Sequence, residues 1–278
     1  MSSLLPRPIS EEEIATFVED GVVCLRGLFQ PDAIERLRAL IDEDIRAPSK
    51  MRKEVNEKGG TGDFFADTFV CHHLPGFRQV IEASPMAEIA GALLQASKIN
   101  LIFDQILVKE PGTSTRTVWH HDATYWPVAG QAIATLWLAL DEATSETGAM
   151  EFVAGSHAWG QRFKAVSFDP KQSYVEDLPP VPDIEADRDR YRIISYDLEP
   201  GDCTLHHGLL LHAAPGNANP AKRRRAYLTR WAGDDVTYNP RPNLQQMLRD
   251  PGIPPGAPLD SDLFPVIWRR KDAALEEA

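Results

Sequence analysis

From residue 99 to residue 231 the chain alternates short β-rich runs with turn signals. That rhythm narrows the fold more than any other feature. The runs are 99–109 (INLIFDQILVK), 117–121, 132–140, 150–153, 191–196, 202–206 and 224–231. Between them fall Pro111-Gly112, Glu146-Thr147-Gly148, Gly155-Ser156, Pro200-Gly201 and Pro215-Gly216-Asn217, combinations that turn a chain. Many short strands with regular turns predict a sandwich or barrel. The fold expected is mainly β (α+β): a jelly roll with a helical N-terminal region packed on it.

The first third reads differently. Ser10 ahead of Glu11, Glu12 and Glu13 is a helix cap with a capping box closed by Glu13. Ile14, Phe17 and Val18 supply the apolar stripe, and Gly21 stops it. Val22 to Leu25 reads as a strand. Pro31 and Asp32 open a second helix through Ile34, Leu37, Leu40, Ile41 and Ile45, ended by Pro48. Residues 49–68 are polar, contain Gly59, Gly60 and Gly62, and read as a mobile loop with the placement of a lid. Helical pattern returns over about 77–94. Residues 167–190 read as an acidic insertion loop. The Pro-rich stretch 239–265 is expected to wrap the surface with little regular structure. The expected organisation is one domain over 1–278: a helical part about 1–97, a β core about 98–235 and a Pro-rich extension about 236–278.

Charge and cysteine usage exclude several classes. Forty-one acidic against 29 basic side chains leave a net charge of -12, which argues against nucleic acid or anionic lipid as partner. Cys24, Cys71 and Cys203 are far apart and form no CxxC, so neither a disulfide framework nor a zinc ribbon is expected. The N-terminus turns acidic before any apolar stretch of signal-peptide length. The longest apolar segment, 132–140, is about half of what a membrane span needs. A cytoplasmic protein acting on a small molecule is expected, with oligomeric state left open. It has eight histidines against three cysteines, so the question is where the histidines sit.

Trp119-His120-His121-Asp122 closes a β-rich run. In an extended strand residues i and i+2 share a side, so His120 and Asp122 project together and His121 points away. An isolated HxD pair is usually only a surface hydrogen bond. The second element is GDCTLHHGLLLH, residues 201–212, a turn into a strand followed by His206, His207 and His212. A third imidazole from it would complete two histidines and one carboxylate. That set occupies one face of an octahedral iron(II) and leaves the opposite face open. His206 and His207 read better as buried imidazoles or as support for the ligands. The third element is Arg223-Arg224-Arg225, running into an alternating β segment. One parity must point inward: Arg224 with Ala226, Leu228 and Arg230, or Arg223 with Arg225. An inward arginine can grip a carboxylate through two parallel hydrogen bonds.

Together WHHD, GDCTLHHGLLLHAAPGN and the following arginines resemble the phytanoyl-CoA dioxygenase (PhyH-like) family of Fe(II)/2-oxoglutarate-dependent oxygenases. DQILVKEPG, TLWLALDEATSETGAMEFVAGSH and ISEEEIATFVEDGVVCLRGLF extend the resemblance over roughly residues 10–235. It implies a double-stranded β-helix of the cupin type. It implies Fe(II) on His120, Asp122 and His212, and O2 and 2-oxoglutarate as co-substrates. His212 is preferred to His206 and His207 because the family's distal histidine precedes an HAAPGN-type segment. The family's 2-oxoglutarate arginine follows about eleven residues later. Counting gives Arg223, whereas strand alignment gives Arg224; register fixes side-chain direction, so Arg224 is favoured. Gln105 and Trp137 match positions lining the co-substrate pocket. Ala214 stands where some members carry a serine, so Gln105, Thr117 or Lys109 would compensate. Tyr125 and Trp126 would wall the pocket. His157 reads as structural, and His72 and His73 stay open.

The resemblance implies hydroxylation of an unactivated C–H with release of succinate and CO2. Asp122 favours this outcome, since halogenating relatives lack that carboxylate. Desaturation, cyclisation and epimerisation use the same centre. A non-catalytic jelly-roll binding protein would have lost a ligand or the arginine. A zinc hydrolase would need an obvious general base beside the metal, and the sequence singles none out. The acidic loop 167–190 speaks against a CoA-sized polyanion and for a small metabolite or natural product as substrate.

Overall fold

The computed structural model describes residues 3–56, 59–166, 177–241 and 244–270. The first helix, α1 (Glu11–Asp20), is capped as its sequence dictates. The Ser10 hydroxyl accepts from the Glu13 amide at 3.1 Å, and the Glu13 carboxylate accepts from the Ser10 amide at 2.8 Å. The Glu13 amide is one of the donors that a bare helix start leaves without a partner. Gly21 ends the helix at φ 76°, and a Cβ there would meet the His157 ring at 2.4 Å. Both conformation and space therefore call for glycine. Next come β1 (Val22–Leu25) and α2 (Pro31–Arg46), the latter opened by a proline where no amide donor is needed. They are followed by β2 (Lys53–Glu54), β3 (Phe64–Thr68), α3 (Val70–His73), α4 (Pro75–Ala83) and α5 (Met86–Leu93).

The rest is β. The strands are β4 (Lys98–Lys109), β5 (Thr117–His120), β6 (Val128–Ala129), β7 (Ile133–Ala139), β8 (Glu151–Val153) and β9 (Ile193–Ser195). Then come β10 (Cys203–His207), β11 (His212–Ala214), β12 (Arg224–Ala232), β13 (Thr237–Tyr238) and β14 (Val266–Arg269). The large sheet runs β1-β10-β7-β12-β4-β3-β2, with β14 also paired to β4. The small sheet runs β5-β11-β8-β9, and β6 pairs with β13. The strand pairs are antiparallel, and the architecture is the jelly roll that the strand rhythm predicts.

Parity divides the large sheet. On one face Tyr227 and Trp231 of β12, Leu136 and Leu138 of β7 and Leu205 of β10 meet Phe17, Leu37, Ile41, Phe77 and Ile89 of the helices. Each such burial contributes about 1.5–3 kcal/mol. Alternate residues, Ala226 and Leu228 of β12 with Trp137 and Ala139 of β7, form a separate cluster on the other face.

Several expectations need correction. The expected loop 49–68 holds β2 and β3. All five residues of β3 are buried, and it pairs with β4 from Phe64 opposite Lys109 to Thr68 opposite Gln105. A strand buried on both faces shows no alternation, and the nearby glycines dominate the pattern. Residues 57–58 lie outside the described chain. The helical run 77–94 is two helices, parted at Ser84-Pro85. Residues 239–265 are largely irregular, as expected, yet Leu259, Leu263 and Phe264 are buried among Phe103 and Trp126. Of the expected insertion 167–190, residues 167–176 lie outside the described chain, and Ile184 packs with Trp119, Phe163 and Leu211. Cys24, Cys71 and Cys203 are free. No described helix is long and apolar enough to cross a membrane.

Candidate active site

Strand β5 ends at His120 and β11 begins at His212, and the two are cross-strand partners. His121 keeps an extended backbone (φ -124°, ψ 147°), so Asp122 returns to the side of His120. Nε2 of His120 lies 3.7 Å from Asp122 Oδ1, and Nε2 of His212 lies 3.8 Å from the same oxygen. One donor atom from each of these buried residues falls within 4.8 Å of the others. Separations of this size let one divalent ion with bonds of about 2.0–2.2 Å reach all three.

The local hydrogen bonds prepare each donor. Nδ1–H of His120 donates to the Val118 carbonyl at 2.8 Å, and Nδ1–H of His212 to the Leu210 carbonyl at 2.9 Å. Each bond fixes the tautomer that leaves Nε2 without a proton. The Thr135 hydroxyl donates to Asp122 Oδ2 at 2.6 Å, which leaves Oδ1 to the two imidazoles. Burial, reinforced by the neighbouring imidazole, pushes His120 down to about 3 and His212 to about 4. Burial opposes the charge of Asp122, but His206, His212 and Arg230 outweigh it and hold this carboxyl well below its ordinary range. The site therefore presents two neutral imidazoles and one carboxylate.

The donors open into a cavity of about 360 Å³, which Gln105, Thr117, Trp137 and Arg224 also line. Arg224 is 2% exposed, its Nε and Nη1 have no partner, and its guanidinium lies 5.5 Å from the Trp137 ring centroid. Arg223 has the opposite parity: half-buried, it holds Glu110 at 2.8 Å and Asp42 at 3.5 Å. Of the two arginines the structure brings only Arg224 to the cavity. Lys109 is a correction. It stands at the end of β4, where its ammonium donates to the Pro215 carbonyl and covers the Phe64 ring, and it does not line the cavity. Ala214 lines the wall with Thr117 as its cross-strand partner, so a hydroxyl does stand beside the missing serine.

Tyr125 lines the cavity, but Trp126 does not; it is buried against Phe103. His206 also lines it, with Nε2 3.6 Å from Asp122 Oδ2. His207 donates to the Gln131 carbonyl, His121 faces Thr124, and His157 packs on His207, all away from the donors. His72 and His73 are exposed on α3 and stay out of the wall. Several lining residues were not anticipated. Arg230 lines the cavity from β12; its parity with Arg224 was the available signal. Met51 enters from the expected lid. Gln245 and Gln246 enter from the Pro-rich tail, where nothing in the local pattern marks them. The tail is anchored by Arg241, which donates to the carbonyls of Thr124 and Trp126 at 3.0 Å each.

A jelly roll holding a His-Asp-His donor set over an open cavity is the build of a mononuclear metal-dependent oxygenase. The profile of one such family, phytanoyl-CoA dioxygenase (PhyH), matches residues 17–226. The chain belongs to the phytanoyl-CoA dioxygenase family. Among its relatives is the multifunctional dioxygenase prhA of Penicillium brasilianum, 26% identical over 237 residues, covering 80% of this chain and 72% of that protein. The ectoine dioxygenase of Sphingopyxis alaskensis is 24% identical over 234 residues, covering 80% and 75%. The crystal structure of the epimerase SnoN in complex with Fe3+, alpha ketoglutarate and nogalamycin RO superposes with a TM-score of 0.75. It is 24% identical and covers 93% of this chain and 98% of that one. The alpha ketoglutarate dependent carbocyclase SnoK gives 0.73 at 24% identity, covering 93% and 96%. These structures share the fold.

Proposed function

We propose that the protein is an Fe(II)- and 2-oxoglutarate-dependent dioxygenase that hydroxylates an unactivated C–H of a small metabolite or natural product. The observation that carries this reading is one cavity holding both halves of the machinery. His120, Asp122 and His212 bring their donor atoms within 4.8 Å of one another, and the buried guanidinium of Arg224 has two nitrogens without a partner. The donor set fits iron(II), being two imidazoles and a carboxylate with room on the opposite side. When bound, iron(II) with 2-oxoglutarate and O2 supplies the oxidant, and succinate and CO2 are released.

The chain's own part is binding and exclusion. Arg224 suits the distal carboxylate of 2-oxoglutarate, held in a fork of two parallel hydrogen bonds. Trp137 covers that guanidinium, and Thr117 offers a hydroxyl beside Ala214. Leu107, Leu228 and Phe64 keep the wall apolar, which limits water around a reactive centre. Free cysteines fit a reducing cytoplasm. A second reading, epimerisation or ring closure at the same centre, is favoured by the fold likeness to SnoN and SnoK.

The test is spectroscopic. Protein loaded with Fe(II) and 2-oxoglutarate without oxygen should develop a weak visible charge-transfer band, and its absence in metallated protein sinks the assignment. Screening metabolites for substrate-stimulated succinate release, with mass analysis of products, separates hydroxylation from epimerisation and ring closure.

A further inference from the structure

Arg230 lies six residues beyond Arg224 on β12 and faces the same cavity. It is 5% exposed. Its Nη2 donates to Gln105 Oε1 at 2.5 Å, and its guanidinium carbon stands 4.8 Å from the Phe103 ring centroid. Nε and Nη1 are buried and have no partner. A buried cation with unpartnered donors is costly to keep unless an anion completes it. Gln105 is neutral and cannot. Asp104, the adjacent buried acid, belongs to the other face of β4, where the Cys71 amide and the Tyr227 hydroxyl hold it.

Position separates the two arginines. Arg230 is the cross-strand partner of Thr135, whose hydroxyl holds Asp122, and Thr135 is in turn the partner of His206. Arg230 therefore stands level with the residue that holds Asp122. Arg224 stands in the row of Lys109, about 20 Å away along the strand at 3.3–3.4 Å per residue. Charge points the same way. Asp122 is the one buried carboxylate among the described lining residues, against two buried guanidiniums. Iron(II) adds two positive charges and 2-oxoglutarate two negative ones, leaving one positive charge without a counterion. Lys53 and Glu54 at the lining's edge are exposed and opposite in sign.

We infer that Arg230 is a second anion anchor and that the substrate carries a carboxylate, which the Arg230 guanidinium holds beside the metal site. This rests on the function proposed above. The same chemistry exists at the metal-side carboxylate of 2-oxoglutarate, so the experiment has an arm for each source.

Wild type, Arg230→Lys, Arg230→Met and Arg224→Met are loaded with Fe(II) and titrated with 2-oxoglutarate without oxygen, following the charge-transfer band. The loaded proteins are then titrated with acetate, benzoate and phenylpropionate, each beside its primary amide, reading perturbation of the band and the shift in melting temperature. Wild type should prefer the acids over the amides by about tenfold or more, the range of a charge-assisted pair. Arg230→Met should lose that preference while 2-oxoglutarate still binds, and Arg230→Lys should keep part of it. A preference that survives in a folded Arg230→Met protein overturns the inference. So does absence of any preference in wild type. An Arg230→Met protein that weakens 2-oxoglutarate as much as Arg224→Met does would give Arg230 to the co-substrate and overturn the substrate class. If Arg230→Met does not fold, loss of the acid preference in wild type at saturating succinate, an occupant of the co-substrate site, overturns it too. A wild type with no band at all is failure of the proposed function itself, read before any acid is added.

Discussion

The two faces of the large sheet are built from the same strands and do opposite things. Toward the helices, β12 presents Tyr227 and Trp231 into a continuous apolar layer. Toward the small sheet it presents Arg224 and Arg230, both buried with unpartnered donors. Stability needs satisfied contacts, and binding needs unsatisfied ones. The pleat, with its period of two, lets a nine-residue strand supply both without compromise at either. One face keeps the chain folded well enough for the other to hold buried charges that do not pay for themselves.

That division can be broken by experiment. The largest effect is expected at the donors: Asp122→Ala should abolish Fe(II)-dependent succinate release, while the urea midpoint stays near that of wild type. Unfolding of this variant would show that the cavity face is structural after all. On the helix face the reverse is expected. Trp231→Ala should cost about 3–5 kcal/mol in urea denaturation, with the 2-oxoglutarate affinity of the remaining folded protein unchanged. Between neighbouring arginines, Arg224→Met should weaken 2-oxoglutarate by about 10- to 100-fold, read from the anaerobic band. Arg223→Met, which loses only surface pairs with Glu110 and Asp42, should leave it within about twofold.

The smallest effect sharpens the comparison on the helix side. Asp44 of α2 is fully buried, neither oxygen has a hydrogen-bond partner, and burial together with the charge of Asp67 pushes it up to about 7. A carboxyl raised on folding takes up a proton in the native state. Stability is then full below the ordinary carboxylate pKa and falls as pH rises through about 7. Asp44→Asn should therefore gain urea resistance relative to wild type at pH 8, and gain less at pH 5.5. Equal gains at both pH values would mean that Asp44 does not titrate in this range.

Most of the site was legible because its logic is short-range. The HxD spacing, the turn before His206 and the parity of β12 are local rules, and they place His120, Asp122 and Arg224 on one side of their strands. Contributors joined only by tertiary contact were not legible. Strand β3 hides its pairing because both its faces are buried. Lys109 has the right parity, yet the Pro215 carbonyl captures its ammonium, which no spacing reveals. Trp126 follows Tyr125 directly but turns into the core with Phe103. Arg230 could have been read from its alternation with Arg224; an arginine deep in an apolar run is a stronger signal than one in a surface cluster.

The long strand β4 receives β12 along one edge and β3 and β14 along the other. Segments from opposite ends of the chain thus meet on one scaffold, and each sends residues to the cavity: Met51 from one, Gln245 and Gln246 from the other. During synthesis the donors and both inward arginines emerge well before residue 245. A chain released just after β12 would carry every recognisable motif and still lack part of the wall around its substrate. In this molecule the signature of the chemistry and the enclosure that makes it selective are separable parts, added at different times.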